Sequence, residues 1–313
     1  MMRRFLLLLM LCISGSATAS RAIGPLEIRV TAGANPYVTE LLALALSYQP
    51  RPVTFKPIVG IPTQSRALRL LGKPSGIDVF WSVTSKAREQ QALAVRIPLV
   101  KGLLGYRVLF IAASRAADFV DIKHWGQLQP LLFGLRHDWP DRAVFERNGL
   151  QVVAFHDTEK AMTMLSNKRL DVVPLDILAA NDFPSRTDIM VQPSLLISYP
   201  SAVYLFVDKA NIQLRDLLQA GLEQAIADGC FEQLFRRHFA DQLTQLDLAG
   251  RTHLRLPNPT LSAETPLSRS ELWYQPGTYN DNNNTQNNIK DEHSSAVAPR
   301  THCLSGNRQT GTN

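Results

Sequence analysis

Cysteine is scarce in this chain: 3 in 313 residues. There is no G-x-S-x-G turn, no H-E-x-x-H pair and no closely spaced cysteine pair of metal-binding type. The 7 histidines fall at no metal-ligand spacing, so surface or capping roles suit them better than a metal centre. Gly72-Lys73 lacks the upstream glycine of a phosphate-binding loop. Charge of one sign is also lacking. Thirty-three Lys and Arg against 27 Asp and Glu give +6 overall, scattered along the chain, which argues against nucleic acid as a partner. Beyond the first residues, no apolar run reaches the roughly 18 residues that a membrane span needs.

What is present begins with the N-terminus. Arg3 and Arg4 precede a continuously apolar stretch, 5–13, and Ala17-Thr18-Ala19 has the small residues of a cleavage site. The reading is a secretory signal, 1–19, cleaved after Ala19 to release a soluble protein into the periplasm. Cys12 follows the bulky Leu11, where lipoprotein processing wants a small residue. Cleavage leaves Cys230 in a helical region and Cys303 in a polar tail, and no disulfide is expected between them despite an oxidising compartment.

Composition changes after about Leu248. Pro257, Pro259, Pro266 and Pro276 follow, and then 280–288, where six of nine residues are Asn. So little apolar content predicts that 249–313 is a largely disordered polar tail.

Between leader and tail, strand and helix signals alternate. Strands are predicted at 26–31, 53–59 and 77–81, with helices from Asn35-Pro36 onward and over 64–71. After a long apolar, β-rich run that holds two glycines and ends at Ala112, the rhythm restarts with strands at 132–135, 151–154 and 172–175 and helices at 140–148 and 157–167. Residues 204–207 read as a return strand, and 211–239 as closing helices interrupted near Gly229. This predicts an α/β protein of two lobes, each a mostly parallel sheet flanked by helices, joined by two crossover strands. The expected division is 20–110 for the first part of lobe 1, 111–200 for lobe 2, and 201–248 for the return to lobe 1. A cleft between two hinged lobes is the default ligand site.

The segment after the third strand carries the chemistry. An apolar run ends in Trp81-Ser82-Val83-Thr84 and is followed by Arg88. Hydroxyls beside a guanidinium suit an anion, because the planar fork matches a carboxylate. Each residue also has a structural role open to it. Arg88 beside Lys86 and Glu89 reads equally as a solvated helix charge, Ser82 and Thr84 as caps, and Trp81 as core or as a stacking surface. In the second lobe, Asp138-Trp139-Pro140-Asp141 reads as a helix start. Its other reading is a cleft lip, with Trp139 as a wall and Asp138 as a partner for a cation. Asp176, after 171–175, is a candidate helix cap and a candidate acid facing the cleft.

The order running from Asp78 through Arg88, the crossover, and Asp171-Val172-Val173-Pro174-Leu175-Asp176 resembles the family 3 extracellular solute-binding proteins. These are the periplasmic amino-acid-binding proteins of ABC importers, with the type II periplasmic binding fold. The resemblance covers roughly 26–240 and is that of a divergent branch, since Thr84 and Arg88 stand four apart where the family spacing is three. It implies that Ser82, Thr84 and Arg88 hold a ligand carboxylate and that Asp176 takes an ammonium. It also implies a monomeric, non-enzymatic, cofactor-free binder of a small polar metabolite. The partner implied is an ABC importer permease or a membrane sensor. The alternatives are a cyclohexadienyl dehydratase-like enzyme on the same fold, or a chain that has lost its ligand.

Overall fold

A computed structural model describes residues 24–61, 63–179, 186–276 and 303. Residues 1–23, which include the expected leader 1–19, and the Asn-rich stretch lie outside the described residues. In chain order the elements begin with β1 (Leu26–Thr31), α1 (Pro36–Ser47), β2 (Val53–Ile58), α2 (Gln64–Leu70), β3 (Val79–Val83), α3 (Lys86–Glu89) and β4 (Leu93–Val95). Then come β5 (Tyr106–Ala112), β6 (Leu132–Arg136), α4 (Asp141–Arg147), β7 (Gln151–Phe155), α5 (Thr158–Ser166), β8 (Val173–Asp176), β9 (Ile189–Val191) and β10 (Leu195–Ser198). The chain closes with β11 (Val203–Val207), α6 (Ile212–Ala227), α7 (Cys230–Gln245) and β12 (Thr252–Arg255).

The first lobe is built on the parallel pair β1–β2 and on β3–β11–β4, in which β11 runs antiparallel to both neighbours. Asn35 caps α1, its side chain accepting from the Tyr37 amide, with Pro36 in the first turn. The apolar stripe of α1, Tyr37, Val38, Leu41, Leu42, Ala45 and Leu46, is buried. It packs on α6, and a Cβ on Gly221 would meet the Ala45 carbonyl oxygen. Only glycine lets the two helix backbones come that close.

The second lobe holds the order β12–β10–β5–β8, with β9 also on β5, and the parallel pair β6–β7. Strand pairing is more mixed than alternation alone predicts. β5 pairs antiparallel with β8, β9 and β10, because a strand that enters from the other lobe need not follow a βαβ crossover. Where the chain passes between lobes, the Tyr199 amide donates to the Gly105 carbonyl at 3.1 Å. A Cβ on Gly105 would fall 2.0 Å from the Tyr199 carbonyl oxygen. The two crossing segments are therefore in backbone contact at the hinge.

Two expectations are corrected. The first is the tail: residues 249–276 are ordered and packed. β12 lies parallel to β10, and Leu254, Leu256, Leu272 and Tyr274 are buried. The apolar residues are few, but Leu254 and Leu256 alternate as a strand requires, and an existing sheet edge supplies the rest. The second is the cysteines, for Cys230 and Cys303 form a disulfide, with Cα atoms 5.4 Å apart and 73 residues between them in sequence. A polar composition did not keep residue 303 from returning to the start of α7. No described helix is long and apolar enough to cross a membrane.

Candidate functional site

The strand end that was expected to bind an anion is a compact cluster in lobe 1. Ser85 opens α3 with its hydroxyl accepting from the Arg88 amide, which turns the Arg88 side chain back beneath β3. There the Arg88 Nη1 donates to the Ser82 hydroxyl at 2.5 Å, to Gln64 Oε1 at 2.9 Å and to the Val83 carbonyl at 2.7 Å. Ser82 is fully buried and donates in turn to Gln64 Oε1 at 2.9 Å. Every oxygen on this guanidinium is neutral. Among the described residues no ion pair joins Arg88 to a carboxylate, although Arg88 is only 9 % exposed. Burial lowers its pKa, while the charges of Asp141 and Asp138 act in the opposite sense. Those two acids belong to lobe 2, so Arg88 lies within electrostatic reach of the facing lobe.

Two neighbours of Arg88 in sequence are placed elsewhere. Thr84 is buried, but its hydroxyl donates to Glu89 Oε1 at 2.6 Å, and Glu89 pairs with Arg96 at 2.8 Å. Trp81 lies on the other face of β3 from Ser82, as the two-residue period of a strand requires. It stacks on Phe80, with ring centroids 6.3 Å apart, and packs on the main core. With Val30, Ala34, Val38 and Phe55 it lines an apolar pocket of about 340 Å³, open mouth included, at the ends of β1 and β3.

In lobe 2 the centre is Arg107, which the sequence reading did not single out. Fully buried on β5, it donates to Asp141 Oδ2, to the Tyr199 hydroxyl at 3.0 Å and to Asp176 Oδ2 at 3.5 Å. Trp139 covers it, with the guanidinium carbon 5.6 Å from the indole centroid. Burial alone would lower the Arg107 pKa, but Asp141, Tyr199 and Asp176 hold it above the ordinary value. Burial pushes the Asp141 carboxyl up, against the pull of Arg107. It also raises the Tyr199 phenol far above its usual range. A charge within an apolar strand such as Tyr106–Ala112 must find a buried acid, and that is the signal that would have found this network.

The other expected lobe-2 residues sort around it. Asp176 accepts from the amides of Leu178 and Ala179 at 3.1 and 3.0 Å through Oδ1, the turn-capping role. Its Oδ2 faces Arg107. Asp138 is exposed and accepts from Arg136 Nε at 3.0 Å. It does not cap α4, whose first residue is Asp141. Trp139 packs against two of the buried apolar clusters and edge-on to Phe155. The structure thus groups Ser82 with Arg88, and Trp139 with Asp176, and sets Trp81 and Thr84 apart. No cluster of His, Cys, Asp and Glu suited to a metal occurs among the described residues.

No family model matches this chain, and no curated protein matches it. Among solved structures, the periplasmic VFT2 domain of Bordetella pertussis BvgS is 17% identical, with a TM-score of 0.50, covering 68% of this chain and 92% of that one. A Salmonella typhimurium periplasmic binding protein of high arginine specificity is 16% identical with a TM-score of 0.48, covering 69% and 99%. A putative ABC-transporter binding component from Wolinella succinogenes, complexed with lysine, is 13% identical with a TM-score of 0.49, covering 68% and 95%. At these identities the likeness is one of fold. The chain has the two-lobed α/β architecture of periplasmic binding proteins.

Proposed function

We propose that this chain is an exported, non-enzymatic solute-binding protein that holds a small carboxylate-bearing metabolite, such as an amino acid, between its lobes. Arg88 is the anchor for the carboxylate, with Ser82 and Gln64 orienting it. Trp139 and Asp138 form the opposing lip. Closure of the lobes over the solute would then be what a membrane importer or sensor reads.

The observation that carries this reading is the state of Arg88. A guanidinium this deeply placed normally sits against a carboxylate, whereas here its bonds go to three neutral oxygens. Nη1 alone takes all three, so the fork is held by one arm. A bidentate anion suits the remaining donors. Asp176 is less apt for an ammonium than the family resemblance implies, because both of its oxygens are engaged within lobe 2.

The test is a thermal-shift screen of the full mature chain against amino acids and their deaminated carboxylate analogues. A ligand at 100 times its Kd adds about 2.7 kcal/mol of stability, enough to move the melting temperature by several degrees. The same ligand should leave Arg88→Ala unmoved, since losing one partner of a buried charged contact costs roughly 2–5 kcal/mol in affinity. A ligand that stabilises both proteins equally would remove Arg88 from the site.

A further inference from the structure

The chain between lobes should need only two crossings, at 99–106 and 199–202, yet it makes two more. α7 ends against lobe 2, where Gln242 Nε2 donates to the carbonyls of Ile177 and Leu178 at 2.7 and 3.2 Å. Arg251 then donates to the Gln192 carbonyl at 2.8 Å, and β12 joins the lobe-2 sheet beside β10. Leu254 and Leu256 are buried in the lobe-2 core, and the Asn148 side chain holds the Pro257 carbonyl at 2.9 Å.

Within three residues the chain is back on lobe 1. Asn258 Nδ2 donates to the Pro200 carbonyl at the hinge itself, at 2.8 Å. The Thr260 carbonyl accepts from the Lys86 amide at 3.0 Å, in the first turn of the helix that carries Arg88. Glu264 pairs with Arg96 at 2.7 Å, and Arg269 grips Glu223 of α6 through two bonds of 2.7 and 2.9 Å. Trp273 lies over Gly102, where a Cβ would fall 2.7 Å from the indole, and the Tyr274 amide donates to the Lys101 carbonyl at 2.8 Å. Leu272 is fully buried in the main core.

We propose that residues 246–276 are a strap that fastens the two lobes across the hinge and limits how far they open. The reason is one of chain length. The last lobe-2 contact is at Pro257 and the first lobe-1 contact is at Thr260. Three peptide units reach at most about 11 Å fully extended, and Pro259 fixes one backbone dihedral within them. Parting the lobes by more than the slack in this link must strip β12 from β10 or lift 260–274 from lobe 1. A two-lobed binder joined only by its crossover strands pays neither cost. The strap also reaches the ligand-side helix directly, through Lys86. The inference rests on placement of the chain and not on the identity of any ligand.

The experiment uses the full chain with spin labels on Val59→Cys in lobe 1 and Val120→Cys in lobe 2, positions 81% and 61% exposed. Cys230 and Cys303 are joined to each other and do not take the label, and Cys12→Ser removes the third cysteine. Pulsed electron–electron resonance should give one narrow interlobe distance. Inserting six Gly and Ser residues between Pro257 and Asn258 keeps every packed contact but removes the tether. It should broaden the distribution and add a longer component while the melting temperature holds. A second variant, Arg269→Ala with Trp273→Ala, detaches the lobe-1 end and should broaden it likewise. If either variant folds and its distances superimpose on the parent's, the segment is packing and not a restraint, and the proposal fails.

Discussion

Two deeply placed arginines, one in each lobe, have opposite surroundings. Arg107 sits at the centre of lobe 2 with two carboxylates and a phenol, under the Trp139 ring. Arg88 sits at the rim of lobe 1 with a hydroxyl, an amide oxygen and a backbone carbonyl. Burial of a guanidinium is costly wherever it occurs. In lobe 2 the protein itself offsets the cost with acids, and the raised Arg107 pKa records that. In lobe 1 it does not, and the lowered Arg88 pKa records that too. A fully compensated charge specifies a fold, whereas a partly compensated one at a rim is suited to an anion from outside.

The largest expected effect tests the lobe-2 half of this contrast. Arg107→Met would leave Asp141 and Asp176 without their cation in a buried site. Removing one partner of such a pair costs about 3–5 kcal/mol, which for a chain of this size is a fall in melting temperature on the order of 10 °C. Calorimetry on the full chain reads it directly. An unchanged melting temperature would mean that the acids are protonated or hydrated and that Arg107 is not structural.

How much of this was legible beforehand follows the same division. The α/β alternation, the α1 cap at Asn35 and the nearness of Ser82 to Arg88 could be read because they depend on local spacing. The Arg107 network could not be located the same way, since its members come from β5, the start of α4, the end of β8 and the hinge. Asp141 read as a helix-starting acid, which it is, but its position on α4 also aims it at Arg107. Asp176 was read as both cap and cleft acid, and the structure gives it the capping bonds. The strap was missed for a different reason. Composition judges whether a segment can build its own core, and 249–276 cannot. It borrows the edge of β10 and the surface of α6 instead.

A smaller effect sharpens the lobe-2 reading and gives it a pH signature. Asp141→Asn keeps the shape and leaves Arg107 paired with Asp176. It should cost about 1–3 kcal/mol, the price of a weakened charged hydrogen bond. Because burial raises the Asp141 pKa in the folded state, the contribution of this group is fullest below its unfolded value. It declines as the pH rises through the folded value. The stability gap between wild type and Asp141→Asn should therefore narrow as the pH is raised from about 4, in denaturant titrations at each pH. A gap that widens with pH would show that Arg107, and not burial, dominates the carboxyl.

The smallest effect falls on the other arginine. Arg88→Met removes three hydrogen bonds, each worth about 0.5–1.5 kcal/mol net. It also removes a buried charge that forms no ion pair with a described carboxylate, and the apolar stem is replaced by one of similar length. The two terms oppose each other. Ser82 and Gln64 keep a partner, because the Ser82 hydroxyl already donates to Gln64 Oε1, and only the Val83 carbonyl loses the bond that Arg88 gave it. The net change in unfolding free energy should stay within about 1 kcal/mol, the range of an ordinary tolerated substitution. Urea denaturation of the ligand-free protein measures it. A loss of 3 kcal/mol or more would place Arg88 with Arg107 as a structural charge, and the contrast between the two lobes would disappear.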